Sequence, residues 1–324
     1  MKTILLFILQ LIFITTLFAQ INADQKKKYY CSPCGCANDG KTFDEAGDCP
    51  ICKMKLLEVG TFNFQIASVS RNGFIVYSSN KKDNKQQLFL RNLNGPTGEK
   101  LISDGSGAQF SPNGDKIVFI RGENSLWIYD IASGKETDLS KKINLPGLQT
   151  PAWVSSGNAI LFAAGTFPNI GIYHYEFKTE KTEALTNTDG LRYGCAASPD
   201  GKNIAYRCVK GTDKDRQRGI AVLNLATKEE RYITNIGEYC TWSPDGGKLA
   251  FHWPDSTRSF CIYTVNADGS DLKKIAGAAG SGFELPVWSA DGATIYFQTN
   301  KRRGNWEIWS MKKDGSDQKP VIWE

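Results

Sequence analysis

The chain has 324 residues, of which 41% belong to the AVILMFWYC set and 23% are charged; this excludes wholesale disorder and leaves ample material for a core. A formal charge of +5 excludes a dedicated nucleic-acid binder, and a total of 2 histidines excludes any catalytic site that needs three. The 31 glycines beside 8 Trp, 12 Tyr and 17 Phe predict an all-β chain of tight turns and large rings.

Lys2 precedes an apolar run from Ile4 to Ile14, broken by Gln10, and small residues follow at Ala19 and Ala23. This is the pattern of a secretory signal peptide over 1–23, cleaved after Ala19 or Ala23. The run falls short of the roughly 20 residues a spanning helix needs. No second apolar stretch exists, so no transmembrane segment is expected in the mature chain. The alternative is an uncleaved membrane anchor. The expected protein is exported, periplasmic or extracellular, and carries about +4 once Lys2 is lost. Cysteines in such a compartment must be accounted for as metal ligands or disulfides.

Residues 29–56 form a cysteine-rich module. Cys31, Cys34, Cys49 and Cys52 stand as two Cys-x2-Cys pairs, with Cys36 between them. Each pair can present two sulfurs to one tetrahedral ion, so the spacing fits four thiolates around zinc or another thiophilic metal ion. Two disulfides, or a redox-active mixture, are the alternatives. Phe43 and Tyr30 offer a minimal core. So small a segment needs a metal or disulfides to fold. The stretches Tyr29-Tyr30-Cys31-Ser32-Pro33-Cys34-Gly35 and Gly47-Asp48-Cys49-Pro50-Ile51-Cys52-Lys53-Met54 resemble the short heavy-metal-binding ribbon of bacterial envelope proteins. Ser32, Ala46 and Lys53 depart from that pattern, the last by replacing the knuckle glycine. The resemblance implies metal binding but names neither the metal nor its purpose.

Beyond Gly60 the chain repeats. Trp242-Ser243-Pro244-Asp245-Gly246 recurs as Trp288-Ser289-Ala290-Asp291-Gly292, Ala197-Ser198-Pro199-Asp200-Gly201 and Phe110-Ser111-Pro112-Asn113-Gly114, with weaker copies ending at Gly157 and Gly73. The glycine separations are 41, 43, 44, 45 and 46 residues. That period, built from short strands and Asp-Gly or Asn-Gly hairpins, predicts a six-bladed β-propeller of four-stranded blades over 62–324. Trp153, Trp242 and Trp288 share one repeat position and are expected between blades. The repeats resemble those of TolB-type propellers, and Trp306-Glu307-Ile308-Trp309-Ser310-Met311-Lys312-Lys313-Asp314-Gly315 is a near-full copy of their strand and turn. Relatives of this type include envelope binding proteins, peptidase propellers and pectate-fragment lyases. No Gly-x-Ser-x-Gly elbow is present, and His174 and His252 occupy unrelated repeat positions.

Ligands of a propeller are expected on the face carrying the loops into the innermost strands. Eight residues before the repeat glycines stand Gln149, Tyr193, Glu238 and Glu284; Cys195 and Cys240 match one another two positions later. These six are the candidate ligand-binding residues, an acidic, thiol-bearing patch near the channel mouth; the alternative for the cysteines is small buried fillers. The loops at 79–86, 121–124, 165–169, 210–218, 252–259 and 300–305 hold 12 Lys and Arg against five acids. Such a rim would steer an anionic partner. The reading is a non-enzymatic exported binding protein for a protein or peptide partner in the cell envelope. The alternatives are a periplasmic metal-handling protein and a carbohydrate-active lyase or hydrolase.

Overall fold

The structure, a computed structural model, describes residues 29–30, 42–51, 53, 56–58, 64–81, 85–95, 98–122, 124–211, 215–302 and 305–323. The expected signal peptide at 1–23 and Cys31, Cys34, Cys36 and Cys52 lie outside the described residues. The chain divides into two compact units, Met1–Thr61 and Phe62–Glu324.

In the first unit β1 (Tyr29–Tyr30) lies between β2 (Thr42–Phe43) and β3 (Leu57–Glu58) in an antiparallel sheet. Cys49 is fully buried with Leu56, and Tyr29 and Phe43 pack against them. The side chain of Tyr30 lies outside the described residues. The Lys53 N–H donates to the Cys49 carbonyl at 2.9 Å and closes a tight turn. Lys53 adopts φ 61° there. That left-handed conformation costs an L-residue roughly 1–2 kcal/mol, which is why a ribbon of this kind favours Gly at the position.

The second unit is an all-β propeller of antiparallel meanders. In chain order they are β4–β7 (Phe64–Val69, Phe74–Ser79, Gln87–Asn92, Glu99–Asp104) and β8–β11 (Ser106–Phe110, Lys116–Arg121, Ser125–Asp130, Glu136–Asp138). After a single-turn helix, α1 (Ser140–Ile143), come β12–β15 (Gln149–Trp153, Ala159–Thr166, Asn169–Glu176, Lys181–Ala184) and β16–β19 (Leu191–Ala197, Asn203–Lys210, Gln217–Asn224, Glu230–Thr234). The last two are β20–β23 (Glu238–Trp242, Lys248–Pro254, Phe260–Asn266, Lys273–Ala276) and β24–β27 (Phe283–Trp288, Thr294–Thr299, Glu307–Lys312, Lys319–Ile322).

The repeats predict six separate blades, and here the structure differs. Four meanders are separate four-stranded sheets, whereas β12–β15 and β16–β19 share one eight-stranded sheet. A single parallel bridge, Ile170 to Leu191, joins them through β14 and β16. At the bridge the Ile170 N–H donates to the Gly190 carbonyl at 2.8 Å. Strand length alone does not make it, because β17 and β18 run 8 residues each, as β13 and β14 do, and join no following sheet.

The sheets close on themselves: β4 packs against both β8 and β24. The Phe64 N–H donates to the Trp306 carbonyl at 3.2 Å across that closure. Second strands are buried on both faces, as Ile117, Val118, Phe119 and Ile120 of β9 illustrate, so they read as continuous apolar runs. The repeat glycines 73, 114, 157, 201, 246 and 292 all lie between φ 69° and 76°, which the hairpin requires. Ser243 Oγ donates to Asp245 Oδ1 at 2.5 Å and accepts the Lys248 N–H at 2.9 Å, locking the turn. Two of the three repeat tryptophans bond to a neighbouring sheet. Trp242 Nε1 donates to the Ala196 carbonyl and Trp153 Nε1 to that of Gln109, each at 3.1 Å.

Candidate functional site

Each innermost strand is broken at one repeat position. The register slips between Ser106 and Gln109 in β8, Gln149 and Ala152 in β12, Tyr193 and Ala196 in β16, Glu238 and Thr241 in β20, and Glu284 and Val287 in β24. β4 slips likewise between Ile66 and Ser68. A bulge leaves a residue unpaired and re-aims it. Gly107, Thr150, Gly194, Tyr239 and Leu285 occupy the bulges at φ 62°, 47°, 64°, 47° and 49°. For Thr150, Tyr239 and Leu285 this costs roughly 1–3 kcal/mol each, strain of a kind that concentrates at binding sites. All five bulge residues wall one axial cavity of about 120 Å³, together with Gln65 and Gln109. Every innermost strand thus contributes to one concave site.

Of the six expected ligand-binding residues, Cys195 and Cys240 line this cavity. They form no exposed thiol patch. Both are buried free thiols, and burial pushes each up to about 12. They fill the axis as small apolar groups. Cys208 and Cys261 are also buried free thiols. Gln149, Tyr193, Glu238 and Glu284 are not among the residues that wall the cavity; each stands immediately before a bulge residue that does. Hairpin register sets Gln149 opposite Ala163, Tyr193 opposite Arg207, Glu238 opposite His252, and Glu284 opposite Gln298. Arg207, His252 and Gln298 are thus brought beside the candidates, which the sequence reading missed. The signal was present: each follows its partner by the same 14 positions.

The cluster is built around Tyr239. Its ring stacks on His252 at 5.8 Å and meets the Tyr193 ring edge-on at 5.6 Å. His252 is buried, and burial lowers its pKa to about 4, so it is neutral at pH 7. Burial and the neighbouring Glu238 charge raise Tyr193 to about 12. Burial raises Glu284 above the ordinary glutamate value, and the Glu238 charge adds to this. Gln298 Nε2 donates to Glu284 Oε2 at 3.1 Å. Arg207 donates from Nη1 to the Gly237 carbonyl at 3.0 Å and lies over the Trp253 ring at 4.9 Å.

The basic rim is less free than the loop count implies. Arg121 pairs with Glu136 at 2.6 Å, Lys210 with Glu230 at 2.7 Å, Arg302 with Glu307 at 3.0 Å, and Lys81 with Glu99. These acids lie on the third and fourth strands, outside the loops that were counted. Several rim cations also lie over rings, Arg121 over Trp127 at 4.2 Å and Lys301 over Trp309 at 4.1 Å. Among the described residues no group of three or more His, Cys, Asp or Glu could hold a metal ion, and no helix is long and apolar enough to cross a membrane.

Fold and site together define an all-β propeller with an axial mouth, carrying a small cysteine-bearing unit ahead of it. Residues 28–59 match the family model of the heavy metal binding domain. The Tol-Pal system protein TolB of Francisella tularensis subsp. holarctica (strain OSU18) is 36% identical over 87 residues, 27% of this chain and 20% of that protein. The TolB of strain SCHU S4 is 34% identical over 87 residues. The matched stretch thus spans about a fifth of the length of these curated relatives. Among solved structures, TolB from Acinetobacter baumannii superposes with TM-score 0.61 at 16% identity, covering 81% of this chain and 79% of that one. An oligogalacturonate lyase in complex with manganese gives 0.56 at 14% identity, covering 81% and 78%. These likenesses establish the fold.

Proposed function

We propose that this chain is an exported, non-enzymatic binding protein of the cell envelope. Its propeller mouth holds a protein or peptide partner, and a metal-stabilised ribbon precedes it. In this reading the eight-stranded sheet works as two blades, giving six around the axis, and residues 1–23 are the address that exports the chain. The observation that carries it is the ring of bulges, which turns residues from every innermost strand onto one cavity. Such convergence lets a single inserted segment touch several sheets at once. The identity to a Tol-Pal system protein and the TolB-like fold support an envelope binding role over a catalytic one. So does the chemistry of the mouth, whose thiols are buried and protonated and whose histidine is neutral and committed to a backbone N–H.

The metal site would be Cys31, Cys34, Cys49 and Cys52. The fully buried Cys49 in a tight Cys49–Lys53 turn fits the knuckle such a site needs. A second reading, that the ribbon handles metal as its function, is favoured by the heavy-metal-binding match over 28–59. Metal analysis before and after mild chelation separates the two. A structural ion stays bound, and a handled one leaves. Crosslinking in the native envelope tests the mouth itself. Crosslinks should concentrate on the loops entering β16, β20 and β24. Crosslinks confined to the Ser-Pro-Asp-Gly turns at 198–201 and 243–246 would contradict the reading.

A further inference from the structure

We infer that the group captured at the mouth is a cation, the ammonium or guanidinium of a lysine or arginine side chain. This rests on the reading of the mouth as the partner site and names the chemistry that enters it. Glu238 and Glu284 occupy one repeat position in neighbouring sheets, and the Glu238 charge acts on both Glu284 and Tyr239. Glu284 is half-buried, and no cation is among the groups that act on it or on Tyr239. A half-buried carboxylate beside a second one is costly until a cation approaches it.

A second observation is independent of charge. Gln298 is 6% exposed, and its amide is oriented by the bond from Nε2 to Glu284. Its Oε1 then has no partner. A buried acceptor left unmade carries its desolvation cost uncompensated, and a donor-bearing ligand would satisfy it. The uncommitted group beside Glu284 is therefore an acceptor, whereas Arg207 Nε, opposite Tyr193, is a buried donor without a partner. His252 Nδ1 already accepts the Leu285 N–H at 3.2 Å, and Arg207 is engaged with Gly237.

The third observation is the ring. Tyr239 keeps 38% of its surface exposed although its bulge conformation is strained. Its far side rests on His252, so the ring is held in place. An aromatic face between two carboxylates attracts an ammonium or guanidinium, and arginine and lysine both use such sites. A divalent metal is a poorer fit, because calcium takes six to eight oxygens and two carboxylates supply few of them.

The test titrates the full chain with acetylated, amidated tetralysine, with the matching tetraglutamate, and with calcium chloride, by calorimetry. The parent should bind tetralysine and not tetraglutamate. The Glu238→Gln/Glu284→Gln variant should lose roughly tenfold or more in affinity, the scale of one lost charged hydrogen bond. If that variant melts early, Glu238→Gln alone carries the comparison. Equal binding of tetraglutamate, unchanged binding of tetralysine by the variant, or displacement of tetralysine by stoichiometric calcium would each overturn the inference. A partner crosslinked at the mouth through an acidic or apolar segment would overturn it while leaving the partner-site reading intact. Tetralysine binding as described, with native crosslinks on the opposite face, would sink the reading and keep the inference.

Discussion

The Leu285 backbone N–H donates to His252 Nδ1 at 3.2 Å, so a histidine of one sheet anchors the strained bulge of the next. The bond requires an uncharged imidazole with Nδ1 as acceptor, and burial supplies it by lowering the pKa to about 4. The native protein binds a proton here less readily than the unfolded chain, whose histidine titrates near 6.5. Stability is thus fully present above about pH 6.5 and falls as the pH drops toward 4, by about 2–3 kcal/mol. His252→Asn keeps an acceptor that does not titrate. Calorimetric melting between pH 7 and 4 should show a flatter decline in the variant.

Glu284 has the opposite sign. Its native pKa is raised, so the native state holds this proton more readily than the unfolded one. The group lowers stability as the pH rises through the carboxylate range. Glu284→Gln should therefore melt no lower than the parent at pH 7, and higher if the penalty is large. The two should converge at roughly pH 3.5, below the ordinary glutamate value.

Trp242 and Trp288 occupy equivalent places but differ in their bonds. Trp242 donates to the Ala196 carbonyl at 3.1 Å, whereas the buried Trp288 indole N–H has no partner. Both Phe replacements lose volume, but Trp242→Phe also leaves a carbonyl unpaired. It should cost about 1 kcal/mol more than Trp288→Phe in denaturant unfolding. Equal losses would show that the bond between sheets contributes nothing.

The proposed ribbon site predicts that Cys49→Ser abolishes any bound metal ion while the propeller melts unchanged, because separate cores lose stability separately. Metal content and a two-transition calorimetric trace are the readouts. An intact mass of metal-free protein that shows the four cysteines as two disulfides would contradict this.

The propeller was legible because its turns are chemical. Ser243, Asp245 and Gly246 each have one geometric duty, and the spacing of such triplets counts the repeats. The fusion of the third and fourth repeats was not legible. It rests on one parallel bridge, Ile170 to Leu191, and periodicity does not report which neighbouring strand ends pair. The candidate site was half legible. Repeat alignment singles out Glu238 and Glu284 as candidates, but their partners His252 and Gln298 emerge only when strands are paired in register. The bulges were hidden because Thr150, Tyr239 and Leu285 are not residues that announce a left-handed backbone. The rim charge was overstated because Glu99, Glu136 and Glu230 reach it from the fourth strands.

The central claim is that the partner enters at the axial mouth. The most direct measurement places a photo-crosslinking residue at one of two exposed positions, Asn235 in the loop entering β20 or Asn113 in the turn after β8. The comparison is made in the native envelope. Crosslinked product from position 235, weakened by Glu238→Gln/Glu284→Gln, is the predicted result. Product from position 113 alone would place the partner on the opposite face and contradict the account.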